Sequence, residues 1–529
     1  MNKIVSVFLT LAVLLAFALP ATASAADNAS IVVEGPDSLT LKADDFKAYQ
    51  LFTVTTSVSG GKVSYAYLPV QPAVDNFLAW AKAKYGTDAT YGANATAFKQ
   101  ILQDNEDNEA WLTTLTSDLT DSGKFVAVGT TTVATVNDTS GTGVHSEVTI
   151  GGLNYGYYLV TGQGSAPGEN GDVTVTSHSM LVTLDKDEQP CRIDLKADAP
   201  SVTKKVWNDD TKTWGEWTDV NIGDTVDFQL VSVVPNMTGY RSYTYIAHDT
   251  LDPGLSLASG FSKADVKVEI GGVAFDDFTV SKSTDNQSLT VTFGPSFRQQ
   301  TVGASIVISY SATLNEDAQI APDSNNNEAW LEYSNNPYHT GEGGTTNKTP
   351  HSRVRVFTYD VKVHKVDGDD TSIGLAGAVF NLRTVAGDAT SAIQFKLTDA
   401  GSATAPAQYV VVKSGGSVDA TSPASGLIRF VGLDAGTYYL FEKQAPDGYN
   451  IMDAETELTI KPAVTKSKGC IDQVSYSTPE PFVKNFKGSI LPHTGGMGTV
   501  IFYVVGVILT VGLIGFFIIR RRRNLLSVK

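Results

Sequence analysis

Val361-Lys362-Val363-His364-Lys365-Val366-Asp367 reads as a β-strand that carries a charge on its apolar face. Side chains alternate across a strand, so Val361, Val363 and Lys365 share one side. If the valines enter a core, so does the Lys365 ammonium, which is costly to bury unless it is paired or neutralised. Two later segments show the same anomaly. Tyr438, Leu440 and Glu442 share a face, as do Val483 and Asn485 in Pro481-Phe482-Val483-Lys484-Asn485-Phe486. The pattern predicts a lysine, a carboxyl and an amide at core positions of one β domain.

Burial lowers the pKa of an amine and raises that of a carboxylic acid. A neutral amine is a nucleophile, and a protonated acid can hydrogen-bond an amide and shuttle its proton. Well-oriented groups held together react at effective molarities of up to about 10⁵–10⁸ M. The expected product is a Lys365–Asn485 isopeptide bond, promoted by Glu442, with ammonia released and the first strand tied to the last. The segment Tyr438-Tyr439-Leu440-Phe441-Glu442-Lys443-Gln444-Ala445-Pro446-Asp447-Gly448-Tyr449 resembles the E-box of the collagen-adhesin B-type (CnaB-like) isopeptide domain. The resemblance implies that fold for residues 356–488 and the same three reacting residues.

A second set repeats the logic. Val202, Lys204 and Val206 share a face, so Lys204 rather than Lys205 is expected to point inward. Asp249 follows the aromatic segment Tyr243 to His248, and Asn327 opens Asn327 to Pro337, with Asn325 and Asn326 as neighbouring rivals. These segments, with Ile222-Gly223-Asp224-Thr225-Val226, resemble the middle (CnaA-like) domain of Gram-positive backbone pilins. That resemblance implies a Lys204–Asn327 bond promoted by Asp249.

Outward from these sites the chain reads as mainly β, a tandem of Ig-like, CnaA- and CnaB-like sandwiches. Val266 to Ile270, Ser288 to Phe293, Ser305 to Leu314 and Glu457 to Ile460 alternate with period two between Gly, Asn, Asp and Pro clusters. Val74 to Lys84, Ala93 to Gln103 and Glu109 to Leu119 instead carry helical spacing, which predicts a mixed α+β N-terminal domain over 27–198. A middle domain is expected over 199–355, with a boundary in the Gly/Thr/Asn stretch Thr340 to Pro350. Gly152 to Leu159 matches Gly432 to Tyr439 in spacing, a faint internal repeat. Glu442 has no acidic counterpart near Gly162 or Gln163, so no isopeptide bond is expected in the first domain.

The ends predict an address. Lys3, an apolar run from Ile4 to Leu19 and the small residues Ala21 to Ala26 read as a secretory leader over 1–25. Val500 to Ile519 is uncharged and long enough to span a bilayer, and Arg520 to Arg523 follow it. Leu491-Pro492-His493-Thr494-Gly495 stands just before this span, so 491–529 resembles the LPxTG cell-wall sorting signal of Gram-positive surface proteins. The resemblance implies cleavage between Thr494 and Gly495 by a sortase thiolate, and a secreted chain held covalently at the wall after a transient membrane stage. Losing both ends would leave 469 residues and move the formal charge from −17 to −23, because the charged residues removed are all basic.

Composition excludes several classes. The acidic balance leaves no basic face for nucleic acid. Two cysteines, Cys191 and Cys470, cannot form a disulfide framework, although polymerisation could bring those of different subunits together. Seven scattered histidines give no metal-pair spacing, and neither a nucleophile elbow nor a phosphate loop is present. No cofactor or metal is expected, nor an enzyme activity beyond the internal bond chemistry. Asp104 to Asp107 and Asp367 to Asp370 read as solvated acidic turns. A backbone pilin also needs an acceptor amine, which the family carries in a V-Y-P-K-like motif. The matching place here is Cys191-Arg192-Ile193-Asp194-Leu195-Lys196, with Lys196 on the outward side. The expected function is the shaft subunit of a covalent pilus. Its partners would be a pilin-specific class C sortase, identical subunits, minor pilins, a housekeeping sortase, peptidoglycan and host ligands. The alternative is a monomeric wall-anchored adhesin, or a minor pilin, that needs Thr494 but not Lys196.

Overall fold

The computed structural model describes residues 28–526 apart from 60–61, 71–74, 78, 81–82, 84–99, 101–108, 121–126, 138–143, 186–189, 340–343, 453, 468–469, 479 and 489–497. The leader and the sorting pentapeptide Leu491–Gly495 therefore lie outside the described residues, as do most of Ala93 to Gln103 and all of Asp104 to Asp107.

The chain is mainly β, in three successive groups of sheets. The first contains sheets of four, three and five strands, and its first strand, Ala29–Glu34, pairs in parallel with its last, Cys191–Asp194. Helix Glu109–Thr120 packs Trp111, Leu112, Leu115 and Leu119 against Phe77, Trp80 and Leu159, which gives this region its mixed character. The second group is a sandwich of two seven-stranded sheets. One centres on Thr203–Asn208, Thr225–Val233 and Ser305–Leu314. The other centres on Ser352–Phe357, Asn325–Ser334 and Tyr245–Leu251. Strand Ser305–Leu314 alternates without a break, burying Ile306, Ile308, Tyr310, Ala312 and Leu314. Within the stretch 340–350, Thr346–Lys348 is a strand of this second sandwich.

The third group is a sandwich of two five-stranded sheets. One contains Tyr359–Asp367 beside Phe482–Asn485, and the other is built around Gly436–Gln444. Its core takes in Phe357 and Ala321 at the junction with the second group, while one large cluster joins buried side chains of the first and second groups and the helix-packed set around Trp111 forms a cluster of its own. At the first junction, Asn335 and Asn347 donate to the Thr174 carbonyl at 3.1 and 2.8 Å. At the second, Tyr359 donates to Asp219 at 2.9 Å, and the Ile222 amide donates to the Gly432 carbonyl at 3.0 Å.

The faint repeat is a shared structural device. Gly152 and Gly432 both take positive φ, 70° and 86°, each one residue before the end of a strand whose successor in the chain lies in a different sheet. Six residues on, Tyr158 and Tyr438 each donate back to the carbonyl four residues upstream, Asn154 at 2.6 Å and Asp434 at 2.9 Å. At the place equivalent to Glu442, a Cβ on Gly162 would meet the Phe46 ring at 2.3 Å. An apolar ring therefore occupies the volume an acid would need.

Beyond the third sandwich, Gly498–Leu526 is helical. Its segment Phe502–Arg522 has a mean hydropathy of 2.6 and none of it is buried, so it is long and apolar enough to cross a membrane.

Replacing Tyr158 with Phe removes the part-buried hydrogen bond to the Asn154 carbonyl and keeps the ring. We expect a loss of about 1 kcal/mol, read as a lower denaturant midpoint of the first region with an unchanged m-value.

Candidate functional site

Two buried clusters each collect one lysine, one carboxylate and one asparagine. In the third sandwich, the parallel pairing sets His364 beside Phe482, Lys365 beside Val483 and Asp367 beside Asn485. Lys365 and Asn485 thus come from neighbouring strands of one sheet, and Glu442 enters from the other sheet. All three are sealed from water: Lys365 is 0% exposed, Glu442 2% and Asn485 1%. Lys365 Nζ lies 3.8 Å from Glu442 Oε1 and donates to the Val483 carbonyl at 2.9 Å. Asn485 Nδ2 donates to Glu442 Oε2 at 2.9 Å and to the Asn450 carbonyl at 2.6 Å. The Met452 amide also donates to Glu442 Oε2, at 2.8 Å. One carboxyl thus reaches both nitrogens. Burial pulls the Lys365 amine down to about 8, against the opposing pull of Glu442 and Asp367. A useful fraction is neutral near physiological pH.

The cluster in the second sandwich is built differently. Lys204 sits on one sheet and Asp249 and Asn327 on neighbouring strands of the facing sheet, where Leu251 pairs with Asn327 and Asp249 with Ala329. Lys204 Nζ contacts Asp249 Oδ2 and donates to the Tyr310 hydroxyl at 3.0 Å. Tyr310 donates to Asp249 Oδ1 at 2.8 Å and accepts from Asn327 Nδ2 at 2.7 Å. The Lys204 ammonium also lies over the Phe228 and Tyr310 rings, 5.2 and 5.1 Å from their centroids. Burial pushes both ionisable partners toward neutrality, the lysine down and the aspartate up, against their mutual attraction.

The structure separates the neighbouring rivals by face and by partner. Lys204 is buried while Lys205 is half-exposed. The amide of Asn325 is occupied by Gln319 and the Val356 carbonyl, and that of Asn326 by Asp252. Asn327 meets the Lys204 cluster through Tyr310.

Two details differ from the sequence reading. Asp249 lies inside strand Tyr245–Leu251 rather than after it, in the inward series Tyr245, Ala247, Asp249 and Leu251. Asp367 is no solvated turn residue. It is buried, accepts from the Tyr449 hydroxyl at 2.8 Å and lies 3.2 Å from Lys487. The Tyr449 hydrogen bond leads in holding it down to about 2. Tyr310 was not singled out in the sequence. The available signal was a hydroxyl on the inward face of an otherwise apolar strand.

Lys196 is exposed two residues beyond strand Cys191–Asp194, with Leu195 and Ala197 buried on either side. Its backbone carbonyl accepts from the His178 amide at 3.2 Å. Cys191 is half-buried, and the Cys470 side chain lies outside the described residues. Thr494 and the rest of Leu491, Pro492, His493 and Gly495 lie outside them too.

Residues 359–472 match the sequence model of the SpaA prealbumin-like fold domain. The chain is 23% identical over 383 residues to the trypsin-resistant surface T6 protein of Streptococcus pyogenes serotype M6, covering 62% of this chain and 70% of that one. The solved T6 backbone pilin of the same organism, described as a modular three-domain structure, superposes with a TM-score of 0.51 at 16% identity, covering 88% of this chain and all of that one. The chain therefore has the fold of tandem β-rich pilin domains.

The lowered Lys365 pKa has a testable sign. In an Asn485→Ala variant the amine stays free and buried, with its pKa near 8 when folded against 10.5 ordinarily. Between these values the unfolded state binds more protons, so stability should rise as pH goes from about 8 to about 10.5. Denaturant titrations across that range should show the rise, and it should vanish in Lys365→Met/Asn485→Ala.

Proposed function

We propose that this protein is the shaft subunit of a sortase-assembled pilus. Its Thr494 carbonyl would be joined to Lys196 of a neighbouring subunit, and Lys365–Asn485 and Lys204–Asn327 isopeptide bonds would lock its two C-terminal sandwiches. The observation that carries this reading is the duplicated burial of lysine, acid and asparagine in successive sandwiches of one chain. A single buried ion pair would be unremarkable, but two amines sealed against acid-linked amides form a reacting arrangement. Glu442 and Asp249 act as the proton-handling acids. The likeness to the T6 backbone pilin supports the same reading, as does the sorting-signal pattern at 491–529.

The placement of the bonds fits a fibre under load. In a head-to-tail polymer, tension enters a subunit at Lys196 and leaves at Thr494. Lys204 lies 8 residues after the entry point and Asn485 lies 9 before the exit. Force would reach each sandwich beside a covalent bridge. Residues 28–195 lie outside this span, so a first region without a cross-link would not weaken the fibre. An exposed Lys196 on a backbone held by buried neighbours suits attack on an acyl-enzyme. A pilin-specific class C sortase would supply that acyl-enzyme, minor pilins would decorate the fibre, and a housekeeping sortase would join it to peptidoglycan.

Two measurements test this. The intact mass of the mature chain should fall short of its sequence mass by two ammonia molecules, and an undiminished mass would sink the internal bonds. Surface extracts should show detergent-resistant ladders that collapse to monomer in Lys196→Ala. Ladders that persist would remove Lys196 as the acceptor.

A further inference from the structure

The two clusters solve one problem with different parts. To form an isopeptide bond, the amide nitrogen must leave as ammonia, so it needs a proton that the lysine nitrogen must lose. In the third sandwich Glu442 addresses both nitrogens itself, Asn485 Nδ2 at 2.9 Å and Lys365 Nζ at 3.8 Å. Asp249 is one methylene shorter. Its Oδ2 contacts Lys204 and its Oδ1 accepts from Tyr310. Tyr310 bridges the two reacting nitrogens, at 3.0 Å from Lys204 Nζ and 2.7 Å from Asn327 Nδ2.

We propose that Tyr310 is a catalytic residue of the second sandwich, relaying a proton from the lysine nitrogen to the departing amide nitrogen. This deepens the proposed Lys204–Asn327 bond and rests on it. Asp249 first takes one proton from the Lys204 ammonium, leaving a neutral amine and a neutral acid. The amine lone pair attacks Asn327 Cγ, the new C–N bond forms, and the carbonyl π pair moves onto Oδ1. The lysine nitrogen now carries one proton more than the amide product keeps. The Tyr310 hydroxyl gives its own proton to the Asn327 nitrogen and takes that extra proton in exchange. The oxyanion pair re-forms the carbonyl, the old C–N bond breaks and ammonia departs. Asp249 ends protonated and Tyr310 is unchanged.

Position and packing suit the role. Tyr310 is buried on the strand two places across the sheet from Lys204, with its ring stacked on Phe228 at 5.5 Å and 26°. Burial holds its phenol far above the ordinary range, so it rests protonated. It therefore works as a relay that gains and loses a proton together, and not as a standing base.

The test is a time course of linked peptide in the full secreted chain, with Lys204–Asn327 and Lys365–Asn485 peptides quantified from the same digest. Tyr310→Phe keeps the ring and removes only the hydroxyl. It should slow the first linkage by about 10²–10⁴-fold, the usual worth of a positioned acid–base group, and leave the second at wild-type yield. That second yield and protease resistance report that the variant has folded. A longer acid should restore direct reach, so Asp249→Glu/Tyr310→Phe should regain the linkage. Full linkage in freshly made Tyr310→Phe overturns the relay, as does a folded double variant that stays unlinked. Absence of the Lys204–Asn327 peptide from the wild-type chain overturns the underlying bond instead.

Discussion

A primary amine buried in a sandwich core is the constraint around which the two C-terminal sandwiches are organised. Such a group cannot remain charged there alone, and removing one partner of a buried charged pair typically costs 3–5 kcal/mol. Lys365 and Lys204 are tolerated because each lies against a carboxylate and each has a second polar contact, the Val483 carbonyl or the Tyr310 hydroxyl. The same desolvation that makes the arrangement expensive pushes the amines toward the neutral form. Structural cost and chemical reactivity thus share one cause.

The two sites would brace their sandwiches in different directions. Lys365 and Asn485 belong to adjacent parallel strands, so a bond between them would reinforce one sheet along its hydrogen-bonded edge. Lys204 and Asn327 face each other from opposite sheets, so their bond would clamp the sandwich through its thickness. This difference also explains why the acids differ. A glutamate crossing from the facing sheet spans both nitrogens. An aspartate on the strand beside the asparagine reaches the lysine across the core but needs Tyr310 to connect with the amide.

The first region makes the contrast clear. It shares the glycine turn and the back-bonded tyrosine with the third sandwich, yet Phe46 fills the space beside Gly162. Stability there comes from ordinary apolar packing, including Phe77, Trp80 and Trp111 against the sheet. A second set of its buried side chains, including Ile31, Val33, Val148 and Ile150, is continuous with the core of the second sandwich. It can therefore support its neighbour from outside the span between Lys196 and Thr494.

Much of this was legible in the chain because strand alternation is a local rule. The inward faces of Lys204, Lys365, Glu442 and Asn485, the β-rich architecture and the outward face of Lys196 all follow from period two. Alternation says which side of a strand a group occupies, but not which distant strand it meets there. Asp367 looked like a solvated turn because its partners Tyr449 and Lys487 are more than 80 residues away. Tyr310 carries no local mark that separates it from other inward aromatics of its strand pattern. Only the packing of two sheets set its hydroxyl between Lys204, Asp249 and Asn327, because that contact joins four strands and no local pattern encodes their mutual distance.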